Sequence, residues 1–272
     1  LNRLCGHKIA ITGTVPQITR NKIRGVLSEE RGQLVFIDTP GFHESEKKIN
    51  VYMKDLVRSA IEESELILYL IDAGRPAGRE EELLRSELQP HSDRLLIGIN
   101  KADIHAEKAS ELKEEMKAVF PRAEACIISA REGDGTEELL NLLFTAAPRG
   151  DCMYPEEFYT DQDPEFRAAE IIREKATDLL AQELPHAIFV EIADMEENSS
   201  KETLWIRAFI NVERESQKGI VIGKRGHTIK MIRTKAQKEL NLIFPYRVEL
   251  DLRVKVRYKW RRNDPLLKKI IL

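Results

Sequence analysis

The sequence predicts two domains in series: an α/β domain with a mixed, mostly parallel sheet, then a smaller α+β domain. Three observations carry this. Short apolar runs at 66–71, 95–99 and 125–128 alternate with helix-forming stretches, as in parallel strands joined by crossover helices. From residue 164 the order changes to helix, two strands, a helix pair and a last strand. Charge divides near the same place: residues 1–200 carry 24 Lys+Arg against 39 Asp+Glu, and residues 201–272 carry 19 against 7. The overall formal charge of −3 therefore hides a basic C-terminal module, the electrostatic footprint of a polyanion partner.

Taken in order, Leu1 to Gly6 reads as the last turn of a helix with a glycine stop. Residues 23–28 and 33–38 bracket Glu29-Glu30-Arg31-Gly32 and form an antiparallel hairpin. The strands at 66–71, 95–99 and 125–128 follow, each with a helix after it. The stretch from Pro148 to Gln162 is rich in Pro, Gly and acidic residues, so the expected division is 1–149, a linker at 150–163, and 164–272. Asp163-Pro164 is a helix start, and Phe166, Ala169, Ile172, Ala176, Leu179 and Leu180 form one apolar stripe over 164–183. Strands at 187–194 and 203–213, a short helix, a helix at 227–241 and a strand at 247–257 complete the chain.

The chemistry sits at the strand ends. Asn100-Lys101-Ala102-Asp103 directly follows the buried-strand run Leu95 to Ile99, and a carboxylate fixed there can accept the N–H pair of guanine, which adenine lacks. Asp38-Thr39-Pro40-Gly41 follows Leu34 to Ile37; its carboxylate can hold the water shell of Mg2+, and the Gly41 N–H can meet a γ-phosphate. Upstream, the Thr19 hydroxyl can ligate the same ion. Downstream, Ser129, Ala130 and Arg131 can offer backbone N–H groups to the guanine carbonyl. Each motif alone has an ordinary reading as a turn or a helix cap. Together and in this order they imply a GTP/GDP site. No Gly-x-x-x-x-Gly-Lys-Ser/Thr sequence occurs, so the strand and phosphate loop that usually precede such motifs are expected to lie before Leu1.

In the basic module, Gly223-Lys224-Arg225-Gly226 lies between Ile220-Val221-Ile222 and the helical pattern Ile229, Ile232, Ala236, Leu240. Two glycines let a backbone approach phosphates, Lys224 and Arg225 add charge, and the following helix N-terminus, with Lys230 in its first turn, adds more. The order of helices and strands around this loop is that of a type II KH domain, so RNA is the expected polyanion.

These motifs, with Glu170-Ile171-Ile172-Arg173-Glu174-Lys175, make the chain resemble the Era family of bacterial ribosome-associated GTPases almost end to end. The resemblance implies a Ras-like P-loop GTPase domain followed by a type II KH domain. It also implies GTP hydrolysis with Mg2+, binding of the 3′ region of 16S ribosomal RNA, and a role in small-subunit assembly. A monomer in the cytoplasm is expected, with peripheral attachment at the inner face of the cell membrane left open. Lys101 would pack beneath the base. Phe42 occupies the place where many GTPases carry a water-orienting glutamine, so no catalytic side chain is assigned, and His43 reads as a loop histidine. Ile18 and Arg131 depart from the usual Thr and Lys without removing a contact. Two other readings are a nucleotide-dead RNA-binding module and a GTPase of tRNA modification or large-subunit assembly; the second gives no reason for the Gly223 to Gly226 loop.

Cys5, Cys126 and Cys152 are isolated, with no ligand spacing for zinc and no disulfide framework. The longest apolar run, Leu66 to Ile71, is far below the ~20 residues a membrane-spanning helix requires.

Overall fold

The computed structural model describes residues 1–13, 18–42, 48–181 and 184–271. They form two compact units: Leu1–Ala10 with Asn21–Asp161, and Ile11–Arg20 with Gln162–Leu272. The second unit thus takes a segment of chain that lies between two parts of the first.

The first unit contains α1 (Asn2–Cys5), β1 (Ile23–Glu29), β2 (Gly32–Asp38), α2 (Lys48–Glu63), β3 (Ile67–Asp72), α3 (Arg79–Leu88), β4 (Leu95–Asn100), α4 (Ala106–Val119), β5 (Glu124–Ile127) and α5 (Thr136–Ala146). Gly6 ends α1 in the left-handed conformation, at φ 69°. β1 and β2 pair antiparallel from Ile23↔Asp38 to Glu29↔Gly32, and the other edge of β1 takes a bridge from Thr160 at Gly25. β3, β4 and β5 are parallel in that order.

β4 explains why this sheet forms. Leu95, Ile97 and Ile99 pack with Leu88, Ala109, Leu112 and Met116, while Leu96 packs with Leu139, Leu140 and Leu143. A strand covered on both faces by helices must be apolar at every position, which is why its sequence does not alternate. Gly98 lets β3 lie close, because a Cβ there would stand 2.7 Å from Leu70 Cδ2. The register Asp72↔Asn100 brings the ends of β3 and β4 side by side.

The second unit contains α6 (Pro164–Leu179), α7 (Leu184–Ala187), β6 (Phe189–Asn198), β7 (Thr203–Val212), α8 (Glu215–Ile222), α9 (His227–Ile243), β8 (Arg247–Val256) and α10 (Asp264–Ile270). The sheet order is β6-β7-β8, with β6 antiparallel and β8 parallel to β7. Asp163 caps α6 by accepting from Phe166 N at 2.8 Å. Ile172 and Ala176 of α6, Ile206 and Ile210 of β7, Ile232, Ala236 and Leu240 of α9, and Val248 of β8 form its core.

Several boundaries differ from the sequence expectation: the second unit includes Ile11–Arg20 from within the expected 1–149 domain, and β6 runs to Asn198 rather than ending at 194. α6 ends at Leu179, four residues early, because Leu180 is already extended. Residue 187 closes a helical turn rather than opening a strand; Pro185 sits in the first turn of α7, where a missing N–H costs no hydrogen bond. Among the described residues no helix is long and apolar enough to cross a membrane.

Candidate functional site

The loop after β4 and the loop after β5 are tied together by side chains of the predicted site. Asn100 Oδ1 accepts from Lys101 N at 2.8 Å and from Ala130 N at 2.9 Å. Asp103 Oδ1 accepts from the Ser129 hydroxyl at 2.9 Å. Ser129 is fully buried, and its backbone N–H donates to Asp134 O at 2.8 Å. Backbone bonds Ala102 N to Ile128 O and Ile128 N to Ile99 O extend the strand pairing into this region. A loop so fixed holds the Asp103 carboxylate in one place, as recognition of a planar base requires.

Lys101 takes a left-handed conformation, φ 69°, that non-glycine residues seldom adopt. Its ammonium pairs with Asp72 Oδ2 at 2.7 Å, and Asp72 Oδ1 accepts from Gly74 N at 2.9 Å. Burial raises the Asp72 pKa, but the Lys101 ammonium, the Gly74 N–H and His105 together outweigh it and hold the carboxyl below its usual value. Sequence reasoning missed Asp72. The signal available was its place at the end of β3, an acid closing an apolar run like that before Asn100.

Of the other predicted residues, Arg131 is exposed and leans on Glu132 at 3.3 Å. Asp38 ends β2, and Thr39, Pro40 and Gly41 follow it in the same unit. Burial pushes the Asp38 carboxyl up to about 6, opposed by the Thr39 N–H. A carboxylate is a hard oxygen donor suited to Mg2+, which typically takes one or two carboxylates with waters and phosphate oxygens. Thr19 belongs to the second unit, whereas Asp38 belongs to the first. The Phe42 ring carries the Lys54 ammonium at 5.2 Å, and His43 lies outside the described residues.

In the second unit, the loop between α8 and α9 has the backbone that its glycines allow. Gly223 sits at φ 74°, ψ 173° and Gly226 at φ 75°, ψ 15°, with Arg225 also at positive φ. Lys224, Arg225 and Lys230 are exposed, and none pairs with a carboxylate among the described residues. Gln217 Oε1 accepts from Glu213 N at 2.9 Å and Arg214 N at 3.0 Å, which fixes the start of α8. Cations on a fixed loop, ahead of a helix N-terminus, suit a nucleic-acid backbone.

A loop pinned to its neighbour at the end of a parallel sheet, followed by this second unit, has the architecture of a GTPase joined to a KH domain. Comparison agrees for both parts. A family model described as a 50S ribosome-binding GTPase matches residues 1–101, and a KH-domain model matches 183–261. GTPase Era of Treponema denticola is 45% identical over 99% of this chain and 93% of its own length; that of Borreliella burgdorferi is 43% identical over 100% and 93%. Among solved structures, a variant of Aquifex aeolicus Era bound to GDP·AlF4− has 34% identity and a TM-score of 0.92, covering 98% of this chain and 91% of its own. An Era complex with MgGDPNP and nucleotides 1506–1542 of 16S ribosomal RNA has 32% identity and a TM-score of 0.93, with the same coverage. The chain belongs to the Era family of GTPases.

Proposed function

We propose that this chain is a GTP-controlled RNA-binding switch that hydrolyses GTP to GDP and phosphate and acts in small-subunit assembly through the 3′ region of 16S ribosomal RNA. The observation that carries the nucleotide half is the joint held by Asn100, with Asp103 fixed beside it by Ser129. The Era relative that binds MgGDPNP and nucleotides 1506–1542 of 16S ribosomal RNA supports the pairing of ligands. Asp103 and Asn100 select guanine, Asp38 serves Mg2+, and Gly41 meets the γ-phosphate. Ser129, Ala130 and Arg131 border the guanine carbonyl, while Thr39 and Pro40 shape the turn beside Mg2+. Mg2+ supplies charge neutralisation at the phosphates during transfer. Gly223, Lys224, Arg225, Gly226 and Lys230 hold the RNA backbone. The protein works as a monomer in the cytoplasm.

The test is binding of a labelled RNA with the 16S 3′-end sequence to the protein as its gene encodes it, with GDP or with a non-hydrolysable GTP analogue and Mg2+. Tighter binding with the analogue is expected. Lys224→Asp with Arg225→Asp should weaken binding and flatten its salt dependence, since each lost phosphate contact removes about 0.7 from the slope on a single strand. Equal affinity in both nucleotide states would overturn the switch, and an unaltered salt slope would move the RNA site away from this loop.

A further inference from the structure

Beyond the Gly223 to Gly226 loop, the second unit displays another surface with the chemistry of a nucleic-acid contact. It is the turn that follows β8. Within Arg253 to Lys269, the cations Arg253, Lys255, Arg257, Lys259, Arg261, Arg262, Lys268 and Lys269 stand against one acid, Asp264. The structure sorts them. Arg257 pairs with Glu191 at 2.8 Å and Arg261 pairs with Glu213, so these two are neutralised within the fold. Lys259, Arg262, Lys268 and Lys269 are exposed and pair with no carboxylate among the described residues.

Among these free charges stands an aromatic ring. Tyr258 is 73% exposed, and among the described residues its one ring contact is the Lys259 ammonium, 4.9 Å from the ring centroid. The turn that presents it is held firmly. Arg257 N donates to Val212 O at 2.8 Å, continuing the β7–β8 ladder. Two residues on, Trp260 is buried at 1% exposure, donates Nε1–H to Ala187 O at 3.0 Å and packs against Phe189 with centroids 4.8 Å apart. Lys259 accepts a left-handed φ of 51° so that Trp260 points in while Tyr258 and Lys259 point out. Asn263 then caps α10, accepting from Leu266 N at 3.1 Å.

A large, rigidly mounted aromatic face left in water costs solvation free energy, and unpaired cations around it attract anions rather than apolar protein. Single-stranded nucleic acids meet both features at once, because each base has a face to stack and each phosphate a charge to neutralise. The geometry points to the Tyr258 turn as a second RNA contact, with Tyr258 stacking on an unpaired base and Lys259 and Arg262 meeting the adjoining phosphates. The inference rests on the RNA-binding reading of this unit and extends it to a surface outside the Gly-x-x-Gly loop. α8 starts beside Glu213, the partner of Arg261, and its eight residues span about 12 Å to Gly223, a short reach for one strand.

The test uses the protein as encoded, bound to the GTP analogue and Mg2+, titrated with a fluorescent single-stranded oligonucleotide of the 16S 3′-end sequence over a range of salt. Tyr258→Ala should weaken binding about five- to tenfold with an unchanged salt slope, and Tyr258→Phe should bind as the parent does, because stacking needs the ring and not the hydroxyl. Lys259→Gln with Arg262→Gln should reduce the slope by about 1.4 for two lost phosphate contacts. Parental affinity of Tyr258→Ala, alongside a binding defect in Lys224→Asp with Arg225→Asp, would overturn the turn alone. Parental affinity of both would overturn the RNA reading and the turn with it. Loss of binding to phosphatidylglycerol vesicles by Tyr258→Ala, with RNA affinity intact, would assign the turn to a membrane surface and overturn it as an RNA contact.

Discussion

The guanidinium of Arg20 lies 5.9 Å from the centroid of the Trp260 ring, and both groups are buried. The same guanidinium donates to Ile188 O at 2.7 Å and Pro185 O at 3.2 Å. Burial, with Arg173 and Arg261 nearby, pulls its pKa down to about 9 against the favourable field of Glu170, so it stays charged at neutral pH. Arg20 directly follows Thr19 and ties the Ile11–Arg20 segment to Pro185 and Ile188 of the second unit, to which that segment belongs. Arg20→Ala removes the donors to two carbonyls, each worth about 1–3 kcal/mol when left unpaired, while relieving the burial of a charge. The expected net loss of unfolding free energy is about 2 kcal/mol, read by urea denaturation. Arg20→Lys should recover little, since one ammonium does not replace a planar fork. Parental stability of Arg20→Ala would show that the segment is held by other groups.

The two glycines of the Gly-x-x-Gly loop are not equivalent. Gly223, at φ 74° and ψ 173°, occupies a region open essentially to glycine alone, and a Cβ there would stand 2.2 Å from Thr228 Oγ1. Gly226 is in the ordinary left-handed region with open space around its Cα. Gly223→Ala should therefore destabilise the KH unit by about 3 kcal/mol and Gly226→Ala by about 1 kcal/mol. Thermal unfolding of both variants checks the ranking, and equal losses would contradict it.

What the sequence made legible depended on whether the signal was local. Leu95 to Ile99 announced a buried strand by continuous apolarity, and Asn100 to Asp103 carried its chemistry in four adjacent residues. Asp72 could not be read in the same way, because its role depends on strand register that sets it beside Asn100. Arg20 was hidden for a different reason. A charged residue in a polar loop gives no hint of burial when its partners are backbone carbonyls more than 160 positions later. The same holds for Tyr258, whose exposure depends on Trp260 turning inward.

The Asp72 contact with Lys101 should steady the base-binding loop. The pair is partly exposed, so its contribution is at most about 1 kcal/mol. Asp72→Asn should raise the dissociation rate of fluorescent GDP about three- to fivefold without changing base preference. Because the Asp72 pKa is lowered in the folded protein, the contribution is present above the ordinary carboxylate pKa and is lost as pH falls through the lowered value. Stopped-flow release measured on the protein as encoded reads this directly. An unchanged rate would mean that Lys101 is held elsewhere once nucleotide is bound.

Asp103 carries the strongest expectation of all. Its Oδ1 accepts the Ser129 hydroxyl, which orients the carboxylate plane and leaves its remaining acceptor capacity for the base. Guanine presents N1–H and N2–H2, a donor pair that a carboxylate meets and a carboxamide meets only in part. Asp103→Asn replaces one acceptor by a donor, which suits the 2-carbonyl of xanthine. The variant should lose guanine preference by a hundredfold or more, on the order expected when a polar site meets the wrong pattern, and should bind xanthosine diphosphate in its place. Ser129→Ala makes the control: it frees the carboxylate to rotate, at a cost of about 1 kcal/mol, and should lower affinity about fivefold while guanine remains preferred. Competition of fluorescent GDP by unlabelled guanosine and xanthosine diphosphates separates the two effects. Retained guanine preference in Asp103→Asn would remove this carboxylate from base recognition and leave the Asn100 joint as a structural link between the two loops.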